Sequence, residues 1–254
     1  MEKKWAFITG ATSGIGWATA LALAGQGYSI FATGRRRDKL NELETALKAA
    51  HPNTQVKTAH FDISDRDDVT QFMKAHYAEM AHIDVLINNA GLAKGVDKMQ
   101  DAKLEDWDTM IDTNVKGLLY VTRGIVEHMV RRNSGHIVNL GSVAGRWTYP
   151  GGGVYCATKF AVRALSEGLR MDLLGSKVRV TNIEPGMVHT EFSYVRLGDQ
   201  SKADKVYEGM TPLSAQDIAE TIAWCVARPA HVNIQELVIY PTDQAHVGQV
   251  ARKN

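Results

Sequence analysis

Trp5–Gly27 reads W-A-F-I-T-G-A-T-S-G-I-G-W-A-T-A-L-A-L-A-G-Q-G. A short apolar run, a turn carrying three glycines and an Ala/Leu-rich helical segment follow one another with no spare residue between them. A strand that feeds through such a turn into a helix brings unpaired backbone N–H groups and the positive end of the helix dipole to one place, which is an anion site. Gly10, Gly14 and Gly16 permit the tight turn and the close approach of a pyrophosphate, with Thr12, Ser13 and Ile15 between them as further candidate contacts. The spacing is G-x-x-x-G-x-G rather than G-x-G-x-x-G, and no G-K-[ST] follows, which argues against a nucleoside triphosphatase P-loop.

Outward from this unit the same alternation repeats. Apolar runs at Y-S-I-F-A-T (28–33), V-K-T-A-H-F-D (56–62), I-D-V-L-I-N-N (83–89), H-I-V-N-L (136–140), K-V-R-V-T-N-I-E-P (177–185) and E-L-V-I-Y-P (236–241) are separated by helix-period segments. One of these segments runs from about residue 104 to 132 and carries Asn114, a poor helix former, among apolar neighbours. The pattern predicts an α/β fold with a doubly wound parallel sheet of Rossmann type. No linker or repeat interrupts it, so residues 1–254 are expected to form one domain. Residues 187–211 are polar with no long apolar period and are expected to form a substrate lid.

Composition narrows the function classes. Of the 254 residues 44% are hydrophobic, enough for a sizeable core, and the formal net charge of +1 argues against nucleic acid or a polybasic membrane anchor. No apolar run approaches the roughly 20 residues of a membrane span, and the N-terminal residues enter the first strand at once, leaving no room for a signal peptide. Cys156 and Cys225 form no framework, and the nine histidines have no metal-ligand spacing, so no metal is expected and a cytoplasmic location is.

The second strand ends in Gly34-Arg35-Arg36-Arg37, where an enzyme using NAD would place an acid for the ribose hydroxyls. Arg35 and Arg36 suit a 2′-phosphate, which an arginine can grip bidentately and an acid would repel. Asp62, followed by Ile63, closes the third strand and could accept from an adenine amino group, while Ser64 and Asp65 suit helix capping. Asn89, Ala90 and Gly91 close the fourth strand with an amide and small residues, which let a flat ligand approach.

Further along, Ser142 follows a strand, and Tyr155 and Lys159 lie four apart on one helix face. A hydroxyl, a phenol and an ammonium so placed suit proton transfer to a carbonyl or alcohol oxygen. The ordinary tyrosine pKa of about 10 is high for a base, and a neighbouring cation is expected to lower it.

In order along the chain, T-G-A-T-S-G-I-G, N-N-A-G, Asn114, Ser142, Tyr155-x-x-x-Lys159 and P-G-M-V-H-T resemble the short-chain dehydrogenase/reductase family over essentially the whole length. A-T-G-R-R, N-N-A-G-L-A-K-G, E-D-W-D-T-M-I-D-T-N, T-E-F-S-Y-V-R and P-A-H-V-N-I resemble its branch of NADP-dependent 3-hydroxy acid dehydrogenases, which act on serine and L-allo-threonine. Arg146, Trp147 and His189 depart from that branch's usual pattern. The resemblance implies NADP as cofactor, a homotetramer, and hydride exchange between the nicotinamide and C3 of a small 3-hydroxy acid. It further implies that Lys159 holds the nicotinamide ribose, that Asn114 holds a water linking Lys159 to solvent, and that Pro185, Gly186, Val188 and Thr190 contact the nicotinamide and pyrophosphate.

A carbonyl or 3-oxoacyl-thioester reductase would share this chemistry and differ in the pocket. A non-catalytic NADP(H)-binding regulator would keep the glycine turn without needing Asn114, Ser142, Tyr155 and Lys159. A small hydroxy acid calls for a cation matched to its carboxylate. Arg146, Arg163 and Arg196 are the candidates; Arg196 ranks first, and Arg163 points to a subunit contact instead.

Overall fold

Alternation within the strands divides the core into two halves. In β1 (Trp5–Ile8), Ala6 and Ile8 face one way and Phe7 the other; in β2 (Ser29–Gly34), Ile30 and Ala32 oppose Phe31. All six of these side chains are buried, because a parallel sheet is covered by helices on both faces. The computed structural model describes residues 3–253, so the expected domain limits at Met1 and Asn254 fall outside the described residues.

The chain continues through α1 (Gly14–Gly25), β2, α2 (Arg37–Ala50), β3 (Val56–His60), α3 (Arg66–Ala75), the single turn α4 (Tyr77–Met80) and β4 (Ile83–Asn88). Next come α5 (Leu104–Ile111), a π-helical segment (Asp112–Gly117), α6 (Leu118–Arg132), β5 (Gly135–Leu140), α7 (Gly153–Asp172) and β6 (Val178–Pro185). The remainder is β7 (Val188–His189), α8 (Phe192–Leu197), α9 (Gln200–Lys205), β8 (Leu213–Ser214), α10 (Ala215–Val226), β9 (Glu236–Ile239) and the strand pair β10 (Gln244–His246) and β11 (Gln249–Val250).

Seven strands form one parallel sheet in the order β3-β2-β1-β4-β5-β6-β9. Strand order reverses between β1 and β4, so a crevice opens at their carboxyl ends, where doubly wound sheets bind ligands. Leu23, Leu40, Leu43 and Leu47 of α1 and α2 pack with Ile218 and Ile222 of α10 on one face. Phe72, Val121, Ile125 and Met129 of α3 and α6 cover the other, with Phe61 and Phe72 stacked at 4.3 Å.

The long helix expected over 104–132 is instead three pieces, with Asn114 inside the π segment. β3 ends at His60, which leaves Phe61 and Asp62 in the loop that lines the crevice. Asp65 caps α3 by accepting from the backbone N–H groups of Asp67 and Asp68. The 187–211 stretch folds into β7, α8 and α9, and Tyr207 fastens it by donating to the Val188 carbonyl at 2.8 Å. The β10–β11 pair has no counterpart in the apolar pattern, since these residues are mostly polar.

Candidate active site

The crevice is a cavity of about 420 Å³ that runs along the carboxyl edge of the sheet from the β2–α2 loop to α7. Its first wall is the glycine turn. Gly10 and Gly14 have φ of +63° and +53°, a region that disfavours any other residue, and they fold the loop back so that α1 begins at the cavity floor. Gly16 does not line the cavity. A Cβ there would stand 2.4 Å from the Gly10 carbonyl and 2.5 Å from the Asn89 amide, so its lack of a side chain lets α1 seat against the strand ends. Asn89 ties the turn in place by donating to the carbonyls of Thr9 and Gly10 at 2.9 and 3.0 Å.

At one end of the crevice lie Thr12, Ser13, Gly14, Ile15, Arg35, Arg36, Asp62 and Ile63. Arg36 donates to the Ser13 hydroxyl at 2.8 Å and the Thr12 hydroxyl at 3.1 Å, and pairs with Glu191 at 3.0 Å. Arg35 pairs with Asp62 at 3.3 Å. The other Asp62 oxygen accepts from the Ser64 N–H and hydroxyl, so both carboxylate oxygens already have partners. Burial works against the Asp62 carboxylate, but the Ser64 and Arg35 bonds outweigh it and hold its pKa down.

At the other end lie Ala90, Gly91, Ser142, Tyr155, Lys159, Pro185, Gly186, Val188 and Thr190. Tyr155 and Lys159 project from one face of α7, and both are buried. Lys159 donates to the Leu140 carbonyl at 2.7 Å, and its nitrogen stands 5.9 Å from the centre of the Tyr155 ring. Burial alone pulls the lysine down to about 8. Burial also pushes the Tyr155 phenol up, opposed by hydrogen bonding with Ser142 and by the charge of Arg196. The lowered tyrosine expected from Lys159 is therefore corrected: desolvation dominates at Tyr155, and the neighbours that favour its phenolate are Ser142 and Arg196.

The π segment presents Asn114 inward. Its amide accepts from the Leu92 N–H at 2.8 Å and donates to the Leu92 carbonyl at 2.8 Å and the Thr158 hydroxyl at 3.0 Å. The widened turn thus joins β4's trailing loop to α7. A Cβ at Gly91 would sit 3.2 Å from the Asn114 oxygen and 3.6 Å from the Lys159 nitrogen, so the bare glycine keeps space open between amide and ammonium.

The three arginines separate clearly. Arg196 of α8 donates to the Gly95 carbonyl at 3.0 Å and the Tyr149 hydroxyl at 2.8 Å, and its guanidinium lies 5.9 Å from the Tyr155 ring centre. Together with Tyr155 it lines a second, smaller cavity whose lining includes no residue of the glycine turn. Arg146 is turned away, pairing with Glu184 and Glu236, so its proposed place at a substrate carboxylate is corrected. Arg163 pairs with Glu236 at 3.0 Å in the same cluster. Arg146 lies only four residues beyond Ser142, but the 3₁₀ turn Val143–Gly145 redirects the chain before it.

The crevice also uses Gly34, Phe61, Leu92, Thr113, Leu140, Gly141, Glu191, Phe192 and Val195, which the sequence did not single out as site residues. Glu191 was the most accessible of these, as an acid next to Thr190 facing a basic loop. Among the described residues no group of three or more His, Cys, Asp or Glu side chains comes together to hold a metal ion, and no helix is long and apolar enough to cross a membrane.

A family profile described as short chain dehydrogenase matches residues 4–199. The chain is 48% identical over 243 residues to an NADP-dependent 3-hydroxy acid dehydrogenase (YdfG) of Salmonella typhi, covering 95% of this chain and 96% of that protein. It is 45% identical over 240 residues to sulfoacetaldehyde reductase 2 of Chromohalobacter salexigens, covering 94% of each. Among solved structures, the closed form of a serine dehydrogenase complexed with NADP+ superposes with a TM-score of 0.91 at 44% identity, covering 98% of this chain and all of that one. With its reversing parallel sheet, its glycine turn and its buried Tyr155 and Lys159, this chain belongs to the short-chain dehydrogenase family.

Proposed function

We propose that this chain is an NADP-dependent oxidoreductase acting on C3 of a small 3-hydroxy acid of the serine, L-allo-threonine or 3-hydroxypropionate type. The observation that carries this reading is a single crevice with Arg35 and Arg36 at one end and Ser142, Tyr155 and Lys159 at the other. The residues fit the cofactor. Arg36 already gathers the Ser13 and Thr12 hydroxyls into a donor cluster suited to a 2′-phosphate, and the glycine turn leaves room for the pyrophosphate. Bound there, NADP supplies the hydride acceptor or donor at its nicotinamide.

The chain's own residues manage the proton and the orientation. Ser142 orients the reacting oxygen, and Tyr155 exchanges a proton with it, a contribution on the order of 10²–10⁴-fold. Because burial keeps Tyr155 a phenol, the protonated form that serves carbonyl reduction is the resting one. Alcohol oxidation needs that proton removed first. Lys159, brought down to about 8, is suited to pass it on at neutral to mildly alkaline pH. Asn114 and the space beside Gly91 would hold the water that continues the path to solvent. Arg196 anchors the substrate's anionic group beside Tyr155, as a fork that holds the reacting carbon in register. The segment 187–211 acts as the lid over that substrate.

A carbonyl or 3-oxoacyl-thioester reductase remains the second reading. Arg196 at Tyr155 favours a small anion over a long thioester. The domain is taken to extend through residues 1–254, as a homotetramer in the cytoplasm; exposed Leu119 on α6 and Phe160 and Met171 on α7 would be covered by sister subunits. Sedimentation tests the assembly. The deciding assay is a panel of 3-hydroxy acids, uncharged alcohols, sulfoacetaldehyde and 3-oxoacyl thioesters with NADP+ or NADPH and with NAD+ or NADH. Preference for hydroxy acids with NADP+ supports the proposal, and activity confined to thioesters or to sulfoacetaldehyde refutes it.

A further inference from the structure

Nothing in the reaction described above uses Glu191. It follows Thr190 in the crevice wall, at the head of the segment that carries Phe192 and Arg196. Its carboxylate pairs with Arg36 at 3.0 Å, and the guanidinium nitrogen making that pair also donates to the Ser13 hydroxyl at 2.8 Å. Burial disfavours the Glu191 carboxylate, yet hydrogen bonds from Arg36 and Ser13, and the charges of Arg36 and Lys39, outweigh it and lower its pKa. Ser13 stands at the start of α1 in extended conformation, and its hydroxyl caps nothing within the helix. A carboxylate therefore already pairs with Arg36, one of the two arginines that the sequence assigns to a 2′-phosphate.

Resting on the NADP reading, we propose that Glu191 is a resident stand-in for the cofactor's 2′-phosphate, holding Arg36 in place until the phosphate displaces it. Two consequences follow from the geometry. Glu191 competes with the phosphate for one guanidinium, so it sets the affinity for the 2′-phosphate from the opposite side to Arg36. Its displacement also unties the β2–α2 loop from the segment that bears Phe192, whose ring lies 5.6 Å from that of Tyr155, and Arg196. A dinucleotide without the 2′-phosphate leaves that tie intact. The pair is half exposed on both sides, so it is weak and readily exchanged.

The test is calorimetric titration of the whole protein with 2′,5′-ADP and with 5′-AMP, two probes that share the adenosine and the 5′-phosphate. Wild type should prefer 2′,5′-ADP. Glu191→Gln should tighten 2′,5′-ADP by about two- to fivefold, the range of an exposed ion pair, with no change for 5′-AMP. In an Arg36→Gln background the same substitution should have no effect on 2′,5′-ADP, because the two residues act through one contact. Unchanged or weaker 2′,5′-ADP binding in Glu191→Gln, with wild type still preferring that probe, overturns the stand-in alone. Equal affinity of wild type for the two probes overturns the NADP reading and the stand-in with it. Gel filtration and thermal unfolding of each variant confirm that the fold is kept.

Discussion

The two ends of the crevice are built on opposite terms. At the β2–α2 end the working charges are half in water: the Arg36 side chain is 42% exposed and that of Glu191 50%. At the α7 end Tyr155 and Lys159 are 8% and 7% exposed. Exposed charges are cheap to hold and easy to re-pair, which suits a ligand that must arrive and leave each cycle. Buried ones are costly to ionise, and that cost shifts both groups toward their neutral forms, phenol and amine. The exposed end suits exchange of a charged ligand, and the buried end suits proton transfer.

Removing the Tyr155 hydroxyl, the proposed proton carrier, should separate the ends most sharply. Tyr155→Phe should lower kcat by on the order of 10²–10⁴-fold while NADPH fluorescence titration shows nearly unchanged binding. Activity above a few per cent of wild type would refute its role. Next in size is the exposed end: replacing Arg35 and Arg36 with uncharged residues should weaken NADP+ by roughly 1.5–3 kcal/mol each before non-additivity and leave NAD+ little affected. Equal losses for both dinucleotides would assign these arginines to the fold or to the shared phosphates.

Arg196→Ala sharpens the contrast on the substrate side. Its kcat/KM should fall about 10- to 100-fold on a 3-hydroxy acid, the worth of a charge-assisted hydrogen bond, and much less on an uncharged secondary alcohol. A parallel fall on both would make it a lid residue rather than an anchor.

A further effect, of similar size, concerns stability. Lys159 sits at about 8 in the folded chain against 10.5 for the free side chain. Between those values the unfolded chain binds more protons, so this group makes wild type gain stability as pH rises. Relative to Lys159→Met, wild type should gain on the order of 2 kcal/mol between pH 7.5 and 9.5. Paired thermal melts at the two pH values read this difference, and a gap that stays constant would show that the ammonium is not desolvated.

Much of this contrast was legible beforehand. The glycine turn, the seven apolar runs and the Tyr155–Lys159 spacing each follow from local rules that the fold obeys, and they place Ser142, Tyr155 and Lys159 around one cavity. The sign of the tyrosine shift was not legible, because it depends on how many groups wall off the ring, and burial is a property of the whole packing. Arg146 was misjudged for a related reason. Its partners Glu184 and Glu236 come from β6 and β9, far along the chain, and no spacing rule links them. Gly16 was read as a phosphate contact because glycine motifs mix two duties, and the structure gives it the packing one.

The π segment at Asp112–Gly117 fits one more residue into its turn than an α-helix would. Each residue turns an α-helix by about 100°, so the surplus residue acts as a phase setting between α5 and α6. Removing exposed Lys116 would return the turn to α-helical pitch and rotate one flank against the other by about that angle. Either Leu118, Val121 and Ile125 would swing out of the core, or Asn114 would lose Leu92 and Thr158. The reading frame of this helix is therefore locked from both sides. Point changes along α5 and α6 can be absorbed one at a time, whereas a single-codon deletion or insertion near Asn114 would force a choice between a packed sheet and a working amide.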